Sequence, residues 1–319
     1  MCYGFDGDRA LERSLAQKGA SRRSFLRGAL GTAMGAGLGA TAVGAGISPA
    51  AADLNPKPWK RVPPGKISIQ LYTMRSVLDG GGYDDTLRAI ADKGYPKVEQ
   101  AGYYGRTAAE LRDFHDSIGI STTSSHDGIS SSPEALKQKL ANANTLGQKS
   151  VVVPYLNSSS KSDWQQWAEQ MNTEAAAAKA AGLNYGYHNH AHEFTIDLGG
   201  GETPWEVFTD ELDPDLVHLE VDLYWVVTGG INSGEGVDDP EAFAIDVMRE
   251  APQKTLQYHV KDRDPSTGDM CDLGTGMIDF ARIFRAHSVR EYIMENDTPD
   301  VTPLQTMRVG YDYLRNLRY

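Results

Sequence analysis

The chain has 319 residues, with 43 Asp and Glu against 31 Lys and Arg, and only two cysteines, Cys2 and Cys271. So acidic a balance repels phosphate backbones and anionic lipid, which makes nucleic acid a poor partner.

The first segment reads as an address. Ser21-Arg22-Arg23-Ser24-Phe25-Leu26-Arg27 is a twin-arginine export motif, followed by a Gly/Ala-rich stretch from Gly28 to Gly46 and the small-residue run Pro49-Ala50-Ala51-Ala52. Nine of the 19 residues from Gly28 to Gly46 are Gly or Thr, too weakly apolar for a stable spanning helix of roughly 20 strongly apolar residues. Residues 1–52 are therefore expected to be a signal peptide cleaved after Ala52 and not a membrane anchor. The expected partner is the twin-arginine export machinery, and the destination is the periplasm or the extracellular space. That route carries folded proteins, so a metal site could be filled before export.

The remaining 267 residues are long enough for one large core and close to the roughly 250 of a βα barrel. The leader carries six of the basic and three of the acidic residues, which leaves a balance of −15, and Cys271 is alone, so no intrachain disulfide can form. Residues 53–65, with four prolines, read as an extended arm.

From there, short β-branched or aromatic runs alternate with helical periodicity eight times. The strand candidates are Lys66 to Tyr72, Lys97 to Ala101, Ile120 to Ser125, Ser150 to Pro154, Leu183 to His190, Leu216 to Asp222, Thr255 to Lys261 and Glu291 to Glu295. Helices are predicted over Tyr83 to Lys93, Thr107 to Ser117, Pro133 to Leu146 and Ser162 to Ala181, several of them stopped by a glycine, as at Gly94 and Gly147. Eight strands and their crossovers predict a (β/α)8 TIM barrel in a single domain over residues 66–319.

Chemistry collects at the ends of the last four strands. Glu193, Asp222, His259 and Glu295 are separated by 29, 37 and 36 residues, each about one βα unit, so in a barrel they would converge on one ion at the carboxyl-terminal mouth. On the fifth strand, His188 and His190 share a face with Gly186. Glu193, just beyond, is the expected ligand there, with His188 as its rival and His190 as a substrate contact. Asp222 ends strand six at the position that faces the mouth, with the N-cap of a following turn as its plainer reading, and Trp225 offers an indole surface for a sugar face. Glu220, deeper on the same face, reads as a paired structural carboxylate. Strand seven places Lys261 beside His259, where its cation could hold a substrate oxygen or a developing enolate, or form an ion pair with a barrel carboxylate. The run from Asp272 to Phe280 lacks dinucleotide-binding spacing and reads as a flexible flap.

Ile69-Gln70-Leu71-Tyr72-Thr73-Met74-Arg75, Val98-Glu99, Ser125-His126, Tyr187-His188-Asn189-His190 with Glu193-Phe194, Asp222-Leu223-Tyr224-Trp225, His259-Val260-Lys261-Asp262, Gly274-Thr275-Gly276 and Glu295 together resemble the xylose isomerase-like sugar phosphate isomerase/epimerase family over essentially all of residues 53–319. The resemblance implies one divalent metal held by a Glu, Asp, His, Glu set on strands five to eight, with the two glutamates as acid/base groups. It makes Gln70, Tyr72, Glu99, His126, His188, His190 and Trp225 the expected substrate contacts. Two positions depart from the family pattern: His188 stands where many members have a metal-binding glutamate, and Trp225 where they often have a histidine.

The expected catalytic groups are Glu193, Glu295 and Lys261. An oxygen-rich set with one imidazole suits Mn²⁺ or Mg²⁺, with Zn²⁺ or Co²⁺ as the other candidates. Such an ion would stabilise the enediolate of a sugar or keto-sugar, leading to isomerisation or epimerisation or, by loss of a leaving group, to lyase chemistry. An endonuclease-like metallohydrolase would want a basic face. A non-catalytic carbohydrate-binding barrel, using Tyr103, Tyr104, Trp205 and Trp225, is the reading of another class. Barrels of this kind often pair, which makes a homo-oligomer an open expectation.

Overall fold

The computed structural model describes residues 59–319, so the twin-arginine leader and the first part of the arm lie outside the described residues. All eight predicted strands form, as β1 (Ile67–Gln70), β2 (Lys97–Gln100), β3 (Ser121–His126), β4 (Ser150–Val153), β5 (Asn184–His188), β6 (Val217–Asp222), β7 (Thr255–Val260) and β8 (Glu291–Met294). They are parallel, each beside its sequence neighbour, and β8 closes on β1 with Ile69 opposite Met294. Among the described residues ten helices surround them: α1 (Arg75–Leu78), α2 (Tyr83–Lys93), α3 (Ala108–Ser117), α4 (Pro133–Leu146), α5 (Lys161–Ala180), α6 (Pro204–Glu211), α7 (Leu223–Ser233), α8 (Pro240–Glu250), α9 (Phe280–Ala286) and α10 (Pro303–Asn316). The fold is a (β/α)8 TIM barrel. No helix among the described residues is long and apolar enough to cross a membrane.

Local chemistry explains the boundaries. Thr107 and Glu110 form a reciprocal capping box at the start of α3, which satisfies two orphan backbone donors. Gly94 and Gly147 end α2 and α4 in the left-handed conformation, with φ of 109° and 77°, which a side chain would disfavour. The described part of the arm pairs with the chain's other end. Lys60 N–H donates to the Tyr319 carbonyl at 2.7 Å, Tyr319 N–H returns the bond at 3.0 Å, and Val62 is fully buried.

Alternation within the strands sends apolar and polar side chains to opposite layers. Tyr185, Tyr187 and Val217 face outward and pack against Trp164 and Phe208, while Tyr258 and Tyr292 pack near Phe284. This outer apolar layer supplies the hydrophobic stabilisation. The inner layer is different, because barrels of this type are usually filled by branched aliphatic residues. Here Gln70, Glu99, His126, Glu220 and His259 are buried inside and hydrogen-bonded to one another, with His188 in contact beside them. Gly186 makes room for this: a Cβ there would stand 2.6 Å from the Nε2 atom of His218.

The run from Asp272 to Phe280 differs from the expected flap. A two-stranded antiparallel hairpin of Asp262–Arg263 and Met270–Cys271 leads into it. The backbone N–H groups of Gly274, Gly276 and Ile278 then all donate to the buried Asp262 carboxylate, at 2.9, 3.0 and 3.3 Å. The glycines let the backbone wrap this carboxylate, so the segment is an anchored loop.

Candidate active site at the mouth of the barrel

Register brings the polar strand ends together. His188 lies opposite Glu220 across β5 and β6, and Asp222 opposite His259 across β6 and β7. Glu295 follows β8 and sets its Oε2 atom 2.6 Å from His259 Nδ1. The other ring nitrogen, His259 Nε2, lies 2.7 Å from Glu99 Oε1 and 3.0 Å from Glu220 Oε1. Burial alone would strip this imidazole of its proton, but Glu220, Glu295 and Glu99 together hold its pKa well above the ordinary histidine range.

Lys261 sits above. Its ammonium is 3.0 Å from Asp222 Oδ2, 2.8 Å from Glu295 Oε2 and 3.2 Å from Asp297 Oδ2. Burial opposes that charge, and the three carboxylates outweigh it, so Lys261 stays protonated far beyond its usual range. Reciprocally, burial raises the pKa of Glu295, but Lys261 and His259 hold it well below the usual carboxylate range. Asp222 goes the other way: burial raises it more than Lys261 and His259 lower it. The two oxygens of Asp222 divide the readings left open by the sequence. Oδ1 caps α7 by accepting the Trp225 N–H at 2.9 Å, while Oδ2 faces Lys261 in a charge contact that lacks hydrogen-bond alignment.

Beneath these groups, Gln70 Nε2 donates to Glu99 Oε1 at 2.7 Å and Ser124 Oγ to Glu99 Oε2. His126 Nε2 lies 2.8 Å from Glu220 Oε1. One wall of the mouth is aromatic: the His190 ring meets Trp225 at 5.3 Å and Tyr155 at 5.0 Å between centroids, and Lys261 Nζ lies 5.8 Å above the indole. His190 Nδ1 and Trp225 Nε1 are buried without a hydrogen-bond partner, which leaves two polar atoms for a ligand to satisfy. Tyr72 sits in the 3₁₀ turn Leu71–Met74 after β1, with the Arg75 guanidinium 4.2 Å above its ring.

Glu193 is not brought to this centre. Tyr187 Oη donates to its Oε1 at 2.6 Å and the His190 N–H to its Oε2 at 2.9 Å. Tyr187 faces the outer helices, so Glu193 is drawn into the layer behind the strand. The physical reason is local: β5 ends at His188, and the 3₁₀ turn His192–Phe194 carries the side chain back. Trp205 is likewise buried against Phe194, with centroids 5.0 Å apart, and does not line the mouth. Two participants escaped the sequence reading. Strand parity makes Glu220 a same-face neighbour of Asp222, and nothing further in the sequence distinguishes it from a structural carboxylate. Asp297 continues the parity of Glu295 two residues on, a signal that was available.

Among the described residues, two groups of side chains have donors that could hold a cation. Asp222, His259 and Glu295 form one, and His126, His188, Glu220 and His259 the other, with the ligand atoms of each within 4.8 Å of one another. The donor chemistry supports the first for a hard ion, since two of its three members are carboxylates and Asp222 Oδ2 lacks a hydrogen-bond partner.

A sequence profile of the xylose isomerase-like TIM barrel family matches residues 87–292. The chain belongs to this family. No curated protein matches it. Among solved structures, two sugar phosphate isomerase/epimerases from Parabacteroides distasonis are similar. One is 25% identical with a TM-score of 0.66, over 79% of this chain and 99% of that one. The other is 23% identical with a TM-score of 0.64, over 80% and 96%. The IOLI protein with a bound zinc atom shares the fold at 14% identity and a TM-score of 0.55, over 77% of this chain and 95% of that one.

Proposed function

We propose that this family member is a divalent-metal-dependent isomerase or epimerase of a neutral sugar or keto-sugar, exported by the twin-arginine route. The observation that carries this reading is the meeting of Asp222, His259, Glu295 and Lys261 within one buried mouth. Asp222, His259 and Glu295 would hold the cation, with Mn²⁺ or Mg²⁺ favoured by the oxygen donors and Zn²⁺ or Co²⁺ as alternatives. When bound, the cation would polarise a substrate carbonyl and stabilise the enediolate that follows proton removal.

Glu295 is the base. His259 and Lys261 keep it ionised, and its position beside the ammonium lets the proton leave carbon as negative charge develops on oxygen. Lys261 donates to that oxygen. Trp225 and His190 form the apolar-walled side against which a sugar ring would lie. The carboxylates of Asp222, Glu295 and Asp297 surround a single lysine, which disfavours a phosphate group and supports a neutral substrate. Incubating the protein with Mn²⁺ and a panel of sugars and keto-sugars in D₂O should exchange a substrate C–H proton. Chelation should abolish the exchange. A carbohydrate-binding barrel without chemistry would keep its ligand affinity after chelation and exchange nothing.

One observation favours a second reading. With Glu193 drawn behind β5 and His188 at the strand end, no second glutamate among the described residues stands at the mouth to return a proton to the opposite face. A single base suits isomerisation, and it also suits elimination from a keto-sugar, so a lyase is the alternative. Glu193→Gln separates the roles: it should leave exchange within a few-fold of wild type. It should also weaken buried charged hydrogen bonds by about 1.5–3 kcal/mol, read as a lowered Tm. A loss of exchange by two orders of magnitude, with Tm unchanged, would return Glu193 to the catalytic set.

A further inference from the structure

We infer that the barrel contains a second cation pocket, one layer below the mouth, in which His126, His188, His259 and Glu220 bind a transition metal of the zinc class. This goes beyond the sugar chemistry proposed for the mouth and does not depend on it. The four side chains come from β3, β5, β7 and β6 and are 5%, 2%, 0% and 0% exposed. Their nitrogens converge on one oxygen: Glu220 Oε1 lies 2.8 Å from His126 Nε2, 3.0 Å from His259 Nε2 and 3.4 Å from His188 Nδ1. The ligand atoms all fall within 4.8 Å of one another, close enough to reach one small ion.

Hydrogen bonding inside the cluster joins His126 to Glu220 but leaves two atoms unused. His188 Nδ1 and Glu220 Oε2 are buried with no hydrogen-bond partner, and both belong to this pocket. Buried polar atoms are ordinarily paired, so two orphans in one cluster point to an absent partner. Glu99, the other carboxylate near these imidazoles, accepts from Gln70 and Ser124 and also lies 2.7 Å from His259 Nε2, a contact that a bound ion would replace. Three imidazoles and one carboxylate are the donors of a four-coordinate zinc-type ion, whereas the mouth set of two carboxylates and one imidazole suits a harder one.

His259 joins the two levels through opposite ring nitrogens. With the lower pocket filled through Nε2, Nδ1–H still donates to Glu295 at 2.6 Å, the arrangement in which a carboxylate behind a metal-bound imidazole fixes its tautomer. Lys261 then remains as the cation between Asp222 and Glu295. Filling both levels at once requires the ring to lose its second proton to solvent and bridge as an imidazolate.

The test uses the full chain, stripped by chelation and titrated with Co²⁺ without substrate. The expected result is one tightly held Co²⁺ with the strong visible absorption of four-coordinate cobalt and three imidazoles by X-ray absorption. His126→Asn and Glu220→Gln should each weaken Co²⁺ binding at least tenfold, while Glu295→Gln leaves the absorption in place. A wild-type cobalt site with one imidazole, absorption lost on Glu295→Gln but kept in the other two variants, or no retained Co²⁺ would overturn the inference. If both pocket variants misfold, the wild-type imidazole count decides alone. Deuterium exchange with Mn²⁺ or Mg²⁺ tests the mouth separately, so either reading can fail without the other.

Discussion

Glu295→Gln is expected to lower kcat for substrate proton exchange by about 10²–10⁴-fold, the usual contribution of a positioned general base, while KM changes by only a few-fold. The amide preserves the shape of the side chain and can still accept from His259 Nδ1, which the carboxylate meets at 2.6 Å. What it removes is the charge and the basic lone pair. Lys261 keeps two of its three carboxylates, Asp222 and Asp297, so the mouth is not collapsed by the change. A mouth ligand is also lost, and excess Mn²⁺ distinguishes the two consequences. If Glu295 served only to hold the cation, saturating metal would restore turnover. If it is the base, the deficit persists at every metal concentration. Activity within fivefold of wild type at ordinary metal levels would remove Glu295 from the mechanism.

The architecture was legible because each strand carries its own punctuation. Pro133 to Leu146, bounded by Ser132 and Gly147, is a helix with the limits its caps dictate, and the eight β-branched or aromatic runs each became a barrel strand. The mouth was legible wherever a residue lies within a strand or one step past it, since alternation fixes its face. Asp222 on β6, His259 on β7, Lys261 one step past β7 and Glu295 one step past β8 meet for that reason. Parity stops being countable once the chain leaves the strand. Glu193 is five residues past His188 and sits inside a 3₁₀ turn, so no alternation rule reaches it. The loop after Cys271 failed differently: a glycine-rich run has the same composition whether it swings freely or wraps a carboxylate, and only the placement of Asp262 decides. Glu220 needed a third dimension, because a glutamate between two outward-facing apolar residues becomes interesting only when three histidines from other strands are seen to surround it.

Lys261→Met should give the largest stability loss of any single change at the mouth. Its ammonium is 2% exposed and lies within 3.2 Å of Asp222, Glu295 and Asp297. Removing one partner of a buried ion pair leaves an uncompensated charge, at about 3–5 kcal/mol, and a chain of this size loses roughly 2–4 °C in Tm per kcal/mol. The deficit has a pH signature. Burial already pushes Asp297 up to about 6 with Lys261 present, and losing the ammonium pushes the pKa of all three carboxylates higher. A carboxylate whose folded pKa lies above its unfolded value binds more protons in the folded state, so stability rises as pH falls through that folded pKa. The gap in Tm between variant and wild type should therefore be widest above pH 6 and narrow as the pH is lowered toward 5. Thermal unfolding of both proteins across that range measures it. A gap that is absent, or that widens on acidification, would mean that Lys261 does not neutralise these carboxylates, and its role opposite the developing oxygen charge would go with it.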